Sequence, residues 1–374
     1  MKAEILKNNI KDGLSVVEKV VGKNISLPIL DNVLITAEDN FLLLTATDLE
    51  TAIKYWTLAK ITKKGKVVIP VRFFSSFVSL LPEERISLEE NKQNLLLECK
   101  NYKTQIQGFN PEDFPLIPEV KDYESLTINN KSFCSGLAQI IDVASPSQTR
   151  PEISGVFLSF SKDTLKIVAT DSFRLAEKTI FIENKNKKDC SLILPQKSAR
   201  EIVNALGEKE GKLKICFSSN QTLFEFPIKE TNHPQIQIFS RLIEGEYPNY
   251  QEIIPKKFKT NIVVGKEEFL NQIKAASLFS GKINEIKFTI NSLKKSIGIF
   301  AHSPEIGENN SNLSAKIEGE PMEISFNYRF LIDGVSNMKS SEIALDLSGE
   351  DGPCVLRPVG DTSYVYVVMP IKSA

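Results

Sequence analysis

Apolar residues recur three times along the chain with the spacing of an amphipathic helix. Each set stands at positions i, i+4, i+7 and i+10, which places its members on one helical face. The sets are Ile10, Leu14, Val17 and Val20; then, 123 positions later, Phe133, Leu137, Ile140 and Val143; then, a further 136 on, Phe269, Ile273, Ala276 and Phe279. The repetition indicates three copies of one structural unit.

Each copy also predicts a second helix, set among short strands. The second helices are expected over 71–81, 196–206 and 327–338, and Pro70 and Pro195 precede the first two, where a missing N–H costs least. Alternating β-branched runs at 213–217, 286–290 and 364–368 predict strands. Helix starts about 60 residues apart divide each copy into two similar halves. Six half-units per chain follow.

Other landmarks repeat between the helices. The segment 44–49, which contains Ala-Thr-Asp, returns at 167–172, and Ala301 holds the corresponding place in the third copy. Asp48 and Asp171 each follow a predicted strand, a position typical of a turn in which the carboxylate bonds its own backbone.

Two proline-containing segments, 109–118 and 244–250, separate the copies. Such joins are semi-rigid and hold neighbouring domains at defined angles. We therefore predict three domains with the boundaries 1–121, 122–257 and 258–374.

Composition narrows the class of protein. The 374 residues carry 46 basic and 47 acidic side chains, a net charge of −1, so any nucleic-acid binding must come from local placement of lysines. The five cysteines are far apart and form no CxxC pair, which favours free thiols in a reducing compartment. No apolar stretch is long enough to span a bilayer, and nothing near Met1 resembles a signal peptide. We expect a soluble, cytoplasmic protein.

The chain offers little catalytic chemistry. The histidines, His233 and His302, lie in different copies and outside any metal-binding pattern, and the glycines around 207–212 do not have phosphate-loop spacing. We expect no metal, no cofactor and no enzyme activity. A hydrolase that uses Asp48 or Asp171 is a marginal alternative, since both aspartates read better as turn residues.

Several motifs in order resemble the bacterial DNA polymerase III beta subunit, the sliding clamp family. They are Ser-Leu-Pro-Ile-Leu at 26–30, Thr-Ala-Thr-Asp-Leu-Glu at 45–50, Asp-Phe-Pro at 113–115, Ala-Thr-Asp at 169–171 with Arg-Leu-Ala at 174–176, Tyr-Pro-Asn-Tyr at 247–250 and Tyr-Val-Val-Met-Pro at 366–370. The resemblance covers essentially the whole chain. It implies an α+β fold of three repeated DNA-clamp domains, each with two inner helices and outer antiparallel sheets.

The resemblance also implies an assembly and its partners. Two chains would join head to tail in a closed ring whose twelve helices surround duplex DNA without reading its sequence. Short peptide motifs would bring the polymerase III catalytic subunit, clamp-loader subunits and repair proteins to the ring, which would be cytoplasmic, nucleoid-associated and not bound to a membrane. The principal alternative is a triplicated scaffold that binds proteins and does not encircle DNA.

Three sets of residues follow from the resemblance. The partner-peptide pocket would comprise Arg150, Ile153, Thr170, Phe173, Arg174, Leu175, Pro248, Ile253, Asn327, Pro353, Val367, Met369, Pro370 and Ile371. The DNA-facing residues would be Lys7, Lys11, Lys19, Lys23, Arg72, Lys131, Lys197, Arg200, Lys266, Lys274 and Lys282. The dimer interface would involve Lys100, Lys103, Thr104, Ile106, Leu278, Glu305 and Glu308.

The chain departs from the family pattern at four of its positions. Ser172-Phe173 stand where the family commonly has Gly-His, Glu252 replaces a residue that is often basic, and Asn24 replaces an arginine. The first three changes should shift peptide preference toward neutral or basic sequences, and the fourth removes one expected DNA contact.

Overall fold

A computed structural model describes residues 1–22, 27–120, 123–145, 149–182, 189–228 and 233–372. Six α-helices lie in these ranges. They are α1 (Lys7–Val17), α2 (Val71–Leu80), α3 (Asn130–Ile140), α4 (Gln196–Leu206), α5 (Lys266–Ser277) and α6 (Tyr328–Ser336). The predicted second helices are confirmed, and that of the central copy has the predicted bounds.

Antiparallel strands form the rest of the regular structure. The first thirteen are β1 (Lys2–Leu6), β2 (Asn32–Glu38), β3 (Phe41–Thr47), β4 (Thr51–Leu58), β5 (Lys60–Lys63), β6 (Gly65–Pro70), β7 (Arg85–Asn91), β8 (Asn94–Cys99), β9 (Tyr102–Ile106), β10 (Glu124–Asn129), β11 (Gly155–Phe160), β12 (Thr164–Thr170) and β13 (Arg174–Phe181). The others are β14 (Cys190–Pro195), β15 (Lys212–Phe217), β16 (Gln221–Pro227), β17 (Pro234–Arg241), β18 (Thr260–Gly265), β19 (Glu285–Asn291), β20 (Ser296–Ser303), β21 (Gly307–Ser314), β22 (Lys316–Gly319), β23 (Met322–Asn327), β24 (Glu342–Leu347), β25 (Cys354–Pro358) and β26 (Tyr364–Val368).

The chain forms two compact units. The first consists mainly of Met1–Ser135 and Lys197–Ile243, and the second mainly of Gly136–Phe181 and Glu244–Ala374. The first unit holds a five-stranded sheet of order β5-β1-β7-β8-β9 and an eight-stranded sheet of order β10-β15-β16-β17-β4-β3-β2-β6. The second holds a nine-stranded sheet, β14-β11-β12-β13-β26-β25-β24-β18-β22, and a four-stranded sheet, β21-β20-β19-β23.

The repeated apolar positions are the cores of these units. Eleven of the twelve residues in the three helical sets are buried, and Phe279, which follows the end of α5, is half-buried. Ala301, the third-copy counterpart in β20, is also buried. The cysteines are all free, as predicted, and burial raises the pKa of the Cys134 thiol to about 12.

Two glycines allow the repeated first helix to approach its sheet. A Cβ on Gly13 of α1 would lie 2.7 Å from a methyl carbon of Leu44, and a Cβ on Gly136 of α3 would lie 2.7 Å from one of Ile180. These glycines stand 123 positions apart, the interval of the repeat. A larger residue at either position would overpack the helix–sheet contact.

Candidate peptide-binding site

The site begins at the turn between β12 and β13. The Asp171 carboxylate accepts hydrogen bonds from the backbone N–H groups of Phe173 at 3.0 Å and Arg174 at 2.9 Å. The Thr170 hydroxyl donates to the Arg174 carbonyl at 2.7 Å. Because the carboxylate holds its own turn, the prediction that Asp171 is a turn residue is confirmed.

The same turn occurs between β3 and β4. Asp48 accepts from the backbone N–H groups of Glu50 at 3.0 Å and Thr51 at 2.7 Å, and the Thr47 hydroxyl donates to the Thr51 carbonyl at 2.9 Å. The third turn residue has positive φ in both copies, 76° at Leu49 and 77° at Ser172. The two turns are therefore copies of one structure.

Replacing Ser172 with glycine should stabilise the protein. A non-glycine residue at φ 77° is strained, and glycine adopts this region without steric cost. We expect Ser172→Gly to raise the free energy of unfolding by about 0.5–1 kcal/mol, because part of the strain relief is lost to the greater freedom of glycine in the unfolded chain. Urea unfolding measures this, and Ser154→Gly, in a helical conformation, is the control that should destabilise.

Arg174 fixes the wall of the site. Its guanidinium donates to Asp171 at 2.9 Å, to Asp333 of α6 at 2.5 Å and to the Asp142 carbonyl at 3.0 Å. It also lies over the Phe330 ring, 4.6 Å from the centroid. A planar guanidinium suits several simultaneous hydrogen bonds, so Arg174 joins the turn to α6.

The floor of the site is the core of the nine-stranded sheet. Leu175 in β13 lies opposite Val367 in β26, and Val367 lies opposite Val355 in β25. These three residues pack with Val168 and Tyr250 in one buried cluster. Leu175 and Val367 are each only 2 % exposed, so a ligand could touch only the outer surface of this floor.

A buried polar pair attaches the linker segment to the sheet. The Tyr250 hydroxyl donates to Glu177 at 2.6 Å, and Lys166 lies 3.3 Å from the same carboxylate. Burial, together with the Glu177 charge, raises the pKa of Tyr250. The Tyr-Pro-Asn-Tyr motif can be recognised in the sequence, but Glu177 cannot, because a glutamate in β13 gives no signal of burial without the sheet register.

The end of the chain is held by backbone hydrogen bonds. The Met369 N–H donates to the Phe173 carbonyl, and the Ile371 N–H donates to the Ser325 carbonyl, each at 2.8 Å. Asn327 follows on the same strand as Ser325 and caps α6 by accepting from the Arg329 N–H at 3.0 Å. Residues 369–371 are therefore fixed beside the β12–β13 turn.

The rim combines exposed apolar residues with polar ones. Phe173 is 63 % exposed and stacks on Phe330 with 6.5 Å between ring centroids, and Ile253 is 48 % exposed. Arg150 donates to the Ser172 hydroxyl at 3.3 Å. The half-buried residues are Pro248, Asn327, Pro353, Met369, Pro370 and Ile371, and Ile153 and Thr170 are buried.

The predicted DNA-facing residues have mixed surroundings. Those with exposed side chains are Lys11, Lys19, Arg72, Lys131, Lys197, Arg200, Lys274 and Lys282. Lys131 pairs with Glu210 at 2.8 Å, Lys197 pairs with Asp48, and half-buried Lys266 donates to the Met338 carbonyl. Lys23 and Asn24 lie outside the described residues.

Lys7 does not fit the prediction of a DNA-facing lysine. Its side chain is buried, and its ammonium donates to the Leu81 carbonyl at 2.5 Å and pairs with Glu83 at 3.1 Å. An ammonium satisfied inside the protein would lose these bonds on turning toward a phosphate. We therefore withdraw Lys7 from the DNA-facing set.

The predicted interface residues lie at two sheet edges. β9 is an edge of the five-stranded sheet, where Lys103 pairs with Glu98 at 2.9 Å, Lys100 pairs with Glu84 at 3.2 Å and Thr104 is half-buried. In the other unit, Glu308 is the second residue of the edge strand β21, Glu305 precedes the strand, and both are exposed.

The two apolar interface residues differ in burial. Leu278 is 69 % exposed, as an interface residue must be before assembly. Ile106 is only 4 % exposed and packs into the core of its own unit, so its contribution to an interface stays a prediction. Ile106 points inward because side chains alternate along β9, in which Lys103 and Gln105 point to the opposite face.

Repeated units with two helices packed against antiparallel sheets define the class of DNA-clamp folds. Sequence profiles of the DNA polymerase III beta subunit match the chain in three segments: the N-terminal domain over residues 1–118, the central domain over 127–249 and the C-terminal domain over 251–372. The chain therefore belongs to the DNA polymerase III beta subunit family, the beta sliding clamps, which are processivity factors without catalytic activity.

Individual members of the family match the chain over its full length. The chain is 28 % identical to the beta sliding clamps of Staphylococcus epidermidis and Bacillus subtilis, across all of this chain and 98 % and 100 % of theirs. It matches the crystal structure of the Thermotoga maritima DNA polymerase III beta subunit with a TM-score of 0.92 at 26 % identity, with both chains fully covered. Within the described residues, no helix is long and apolar enough to cross a membrane.

Proposed function

We propose that two copies of this chain close head to tail into a ring around duplex DNA. The ring tethers the polymerase III catalytic subunit, clamp-loader subunits and repair proteins through short peptides. In this proposal the three domains span 1–121, 122–257 and 258–374, and the ring works in the cytoplasm on nucleoid DNA. Family membership supports the assembly, and the fixed chain end beside an exposed apolar rim is the observation that carries the peptide function.

Enclosure explains the modest charge of the protein. A ring that is topologically linked to DNA needs no high affinity, and it must slide, so loose contacts between lysines and phosphates suffice. Exposed lysines such as Lys11, Lys274 and Lys282 suit this task, because an ammonium contacts phosphate as a mobile point charge without the bidentate geometry of arginine.

The proposed peptide site should bind weakly. Burying two large apolar side chains contributes about 1.5–3 kcal/mol each in addition to backbone contacts, and ordering a flexible peptide offsets part of that. The two side chains supply at most about 6 kcal/mol of the roughly 8 kcal/mol that a micromolar dissociation constant requires, so binding should be micromolar or weaker, which lets partners exchange. The natural occupant would be a segment of the Gln-Leu-x-Leu-Phe type. Glu252, bound by Asn249 at 2.7 Å, adds negative charge near Ile253 and disfavours acidic peptides.

Leu278→Asp should convert the proposed dimer into folded monomers. A leucine with an exposed side chain can be replaced without disturbing its own unit. In the dimer interface, however, the aspartate would be buried without a partner, at a cost of several kcal/mol. Sedimentation equilibrium measures the result. Leu293→Asp is the matched control, because Leu293 lies in the same unit, is 98 % exposed and is outside the predicted interface. A Leu278→Asp protein that remains dimeric would place the interface elsewhere.

A further inference from the structure

The first compact unit contains a pocket at the place that corresponds to the peptide site of the second. The cavity has a volume of about 230 Å³ and lies beside the Asp48 turn. Its lining includes Leu49 and Glu50 of that turn, Ala52 of β4, Leu116 of the linker segment, and Phe239 and Arg241 of β17. All of these residues belong to the first unit.

Sheet register makes the correspondence specific. Thr51 of β4 lies opposite Ser240 of β17, just as Arg174 of β13 lies opposite Val368 of β26. Ser240 in turn lies opposite Thr222 of β16, just as Val368 lies opposite Cys354 of β25. Strands β4, β17 and β16 of the first unit are therefore equivalent to β13, β26 and β25 of the second.

Nine of the fourteen proposed peptide-site residues have counterparts in the pocket. The 123-residue interval of the repeat pairs Thr170, Phe173, Arg174 and Leu175 with Thr47, Glu50, Thr51 and Ala52. The 133-residue interval between the linkers pairs Pro248 and Ile253 with Pro115 and Val120. Sheet register pairs Pro353, Val367 and Met369 with Gln221, Phe239 and Arg241. Every one of these counterparts lines the cavity.

The floor of the pocket differs from that of the first site. Ala52 stands where the first site has Leu175, and Phe239 stands where it has Val367, so a small residue and a large ring lie side by side in the pocket. Polar groups beneath are already satisfied: the Ser198 hydroxyl bonds both Thr51 at 2.7 Å and Ser240 at 2.8 Å. A void with satisfied walls accepts an apolar group more readily than a polar one.

We propose that this pocket is a second binding site for short linear peptides. A bound peptide inserts an aliphatic or aromatic side chain over Ala52. The apolar rim supports a peptide occupant, because Leu49 is 44 % exposed and Leu116 is 96 % exposed. Glu50 and Arg241 replace the apolar Phe173 and Met369 of the first site, so the second rim offers a peptide fewer apolar contacts than the first. The inference rests on the proposed peptide function of the first site and extends it to a second place on each chain.

The test is a titration of the full-length protein with a fluorescent Gln-Leu-Ser-Leu-Phe peptide, followed by photo-crosslinking with a benzophenone derivative of it. We expect two classes of binding per chain, the weaker by at least about tenfold, because fewer apolar groups are available at the second rim. Mass spectrometry should locate the weaker class at 115–120 and 239–241.

Matched variants separate the two sites. The double variant Leu49→Asp and Leu116→Asp should lose the weaker class and keep the stronger, while Leu80→Asp, at an exposed leucine of the same unit outside the pocket, should keep both. A single class in the wild-type protein, or a weaker class that survives the double variant, overturns this inference alone. Altered sedimentation of the double variant would also overturn it, since the pocket would then be covered by a second copy. Absence of the stronger class would contradict the proposed function instead.

Discussion

Once loaded on nicked circular DNA, the protein should stay bound in salt that removes ordinary protein–phosphate contacts, and it should escape when the circle is cut. A protein that holds DNA through 6–10 phosphate contacts loses about 10³–10⁵ in affinity between 50 and 200 mM salt. A closed ring is retained by topology, so its residence on a circle depends on opening of the dimer and not on the lysines.

Gel filtration of labelled protein with DNA in 200 mM salt measures the retention. We expect the protein to elute with the circle and to separate from the same DNA after one restriction cut. Leu278→Asp is a useful negative control, because a chain that cannot close the proposed ring should not be retained on either form. Equal loss from circular and linear DNA would contradict encirclement and would favour the alternative of a protein-binding scaffold.

Deleting residues 370–374 should abolish capture of a Gln-Leu-x-Leu-Phe peptide at the first site. The deletion removes Pro370 and Ile371 from the rim, and with them the backbone bond from Ile371 to Ser325. The site then loses both apolar contact area and the hydrogen bond that holds the end of the chain at its edge. We expect affinity to fall by at least about 100-fold, equivalent to about 3 kcal/mol. Removing only residues 373–374 keeps Ile371 and is the matched control.

A point substitution checks that the loss reflects the rim. Ile253→Asp should weaken the peptide about 10- to 100-fold by removing one large apolar contact. Ile283→Asp, at a similarly exposed isoleucine of the same unit outside the site, should not. Fluorescence anisotropy measures both, and circular-DNA retention should be unchanged in each. Leu175→Asp is unsuitable, because that side chain is buried and a charge there would destabilise the sheet. Full peptide affinity in the folded truncation would show that the site lies elsewhere.

The sequence alone determined the repeat, the helices and the turns. The helical sets at Ile10, Phe133 and Phe269 are periodic because one face of each helix is buried, and this burial leaves a local trace in the order of residues. Asp48 and Asp171 could be assigned to turns for the same reason. Each accepts hydrogen bonds from the backbone N–H groups two and three residues further along the chain, which is a local interaction.

The tertiary structure decided which side chains are accessible. Lys7 and Lys11 read alike in the sequence, but only Lys7 turns inward to the Leu81 carbonyl, 74 residues away. Ile106 and Leu278 were both predicted to lie at an interface, and only Leu278 is exposed. Such differences depend on contacts between residues that are far apart in the chain, which periodicity cannot show.

The pocket beside Ala52 shows the same division. The 123-residue interval pairs Ala52 with Leu175, and that relation can be read from the sequence. The register of β4, β17 and β16 brings Ala52, Phe239 and Gln221 together in the lining of the cavity. Sequence thus determined which positions are equivalent, whereas packing between distant strands decided which of them leave a space that a ligand can fill.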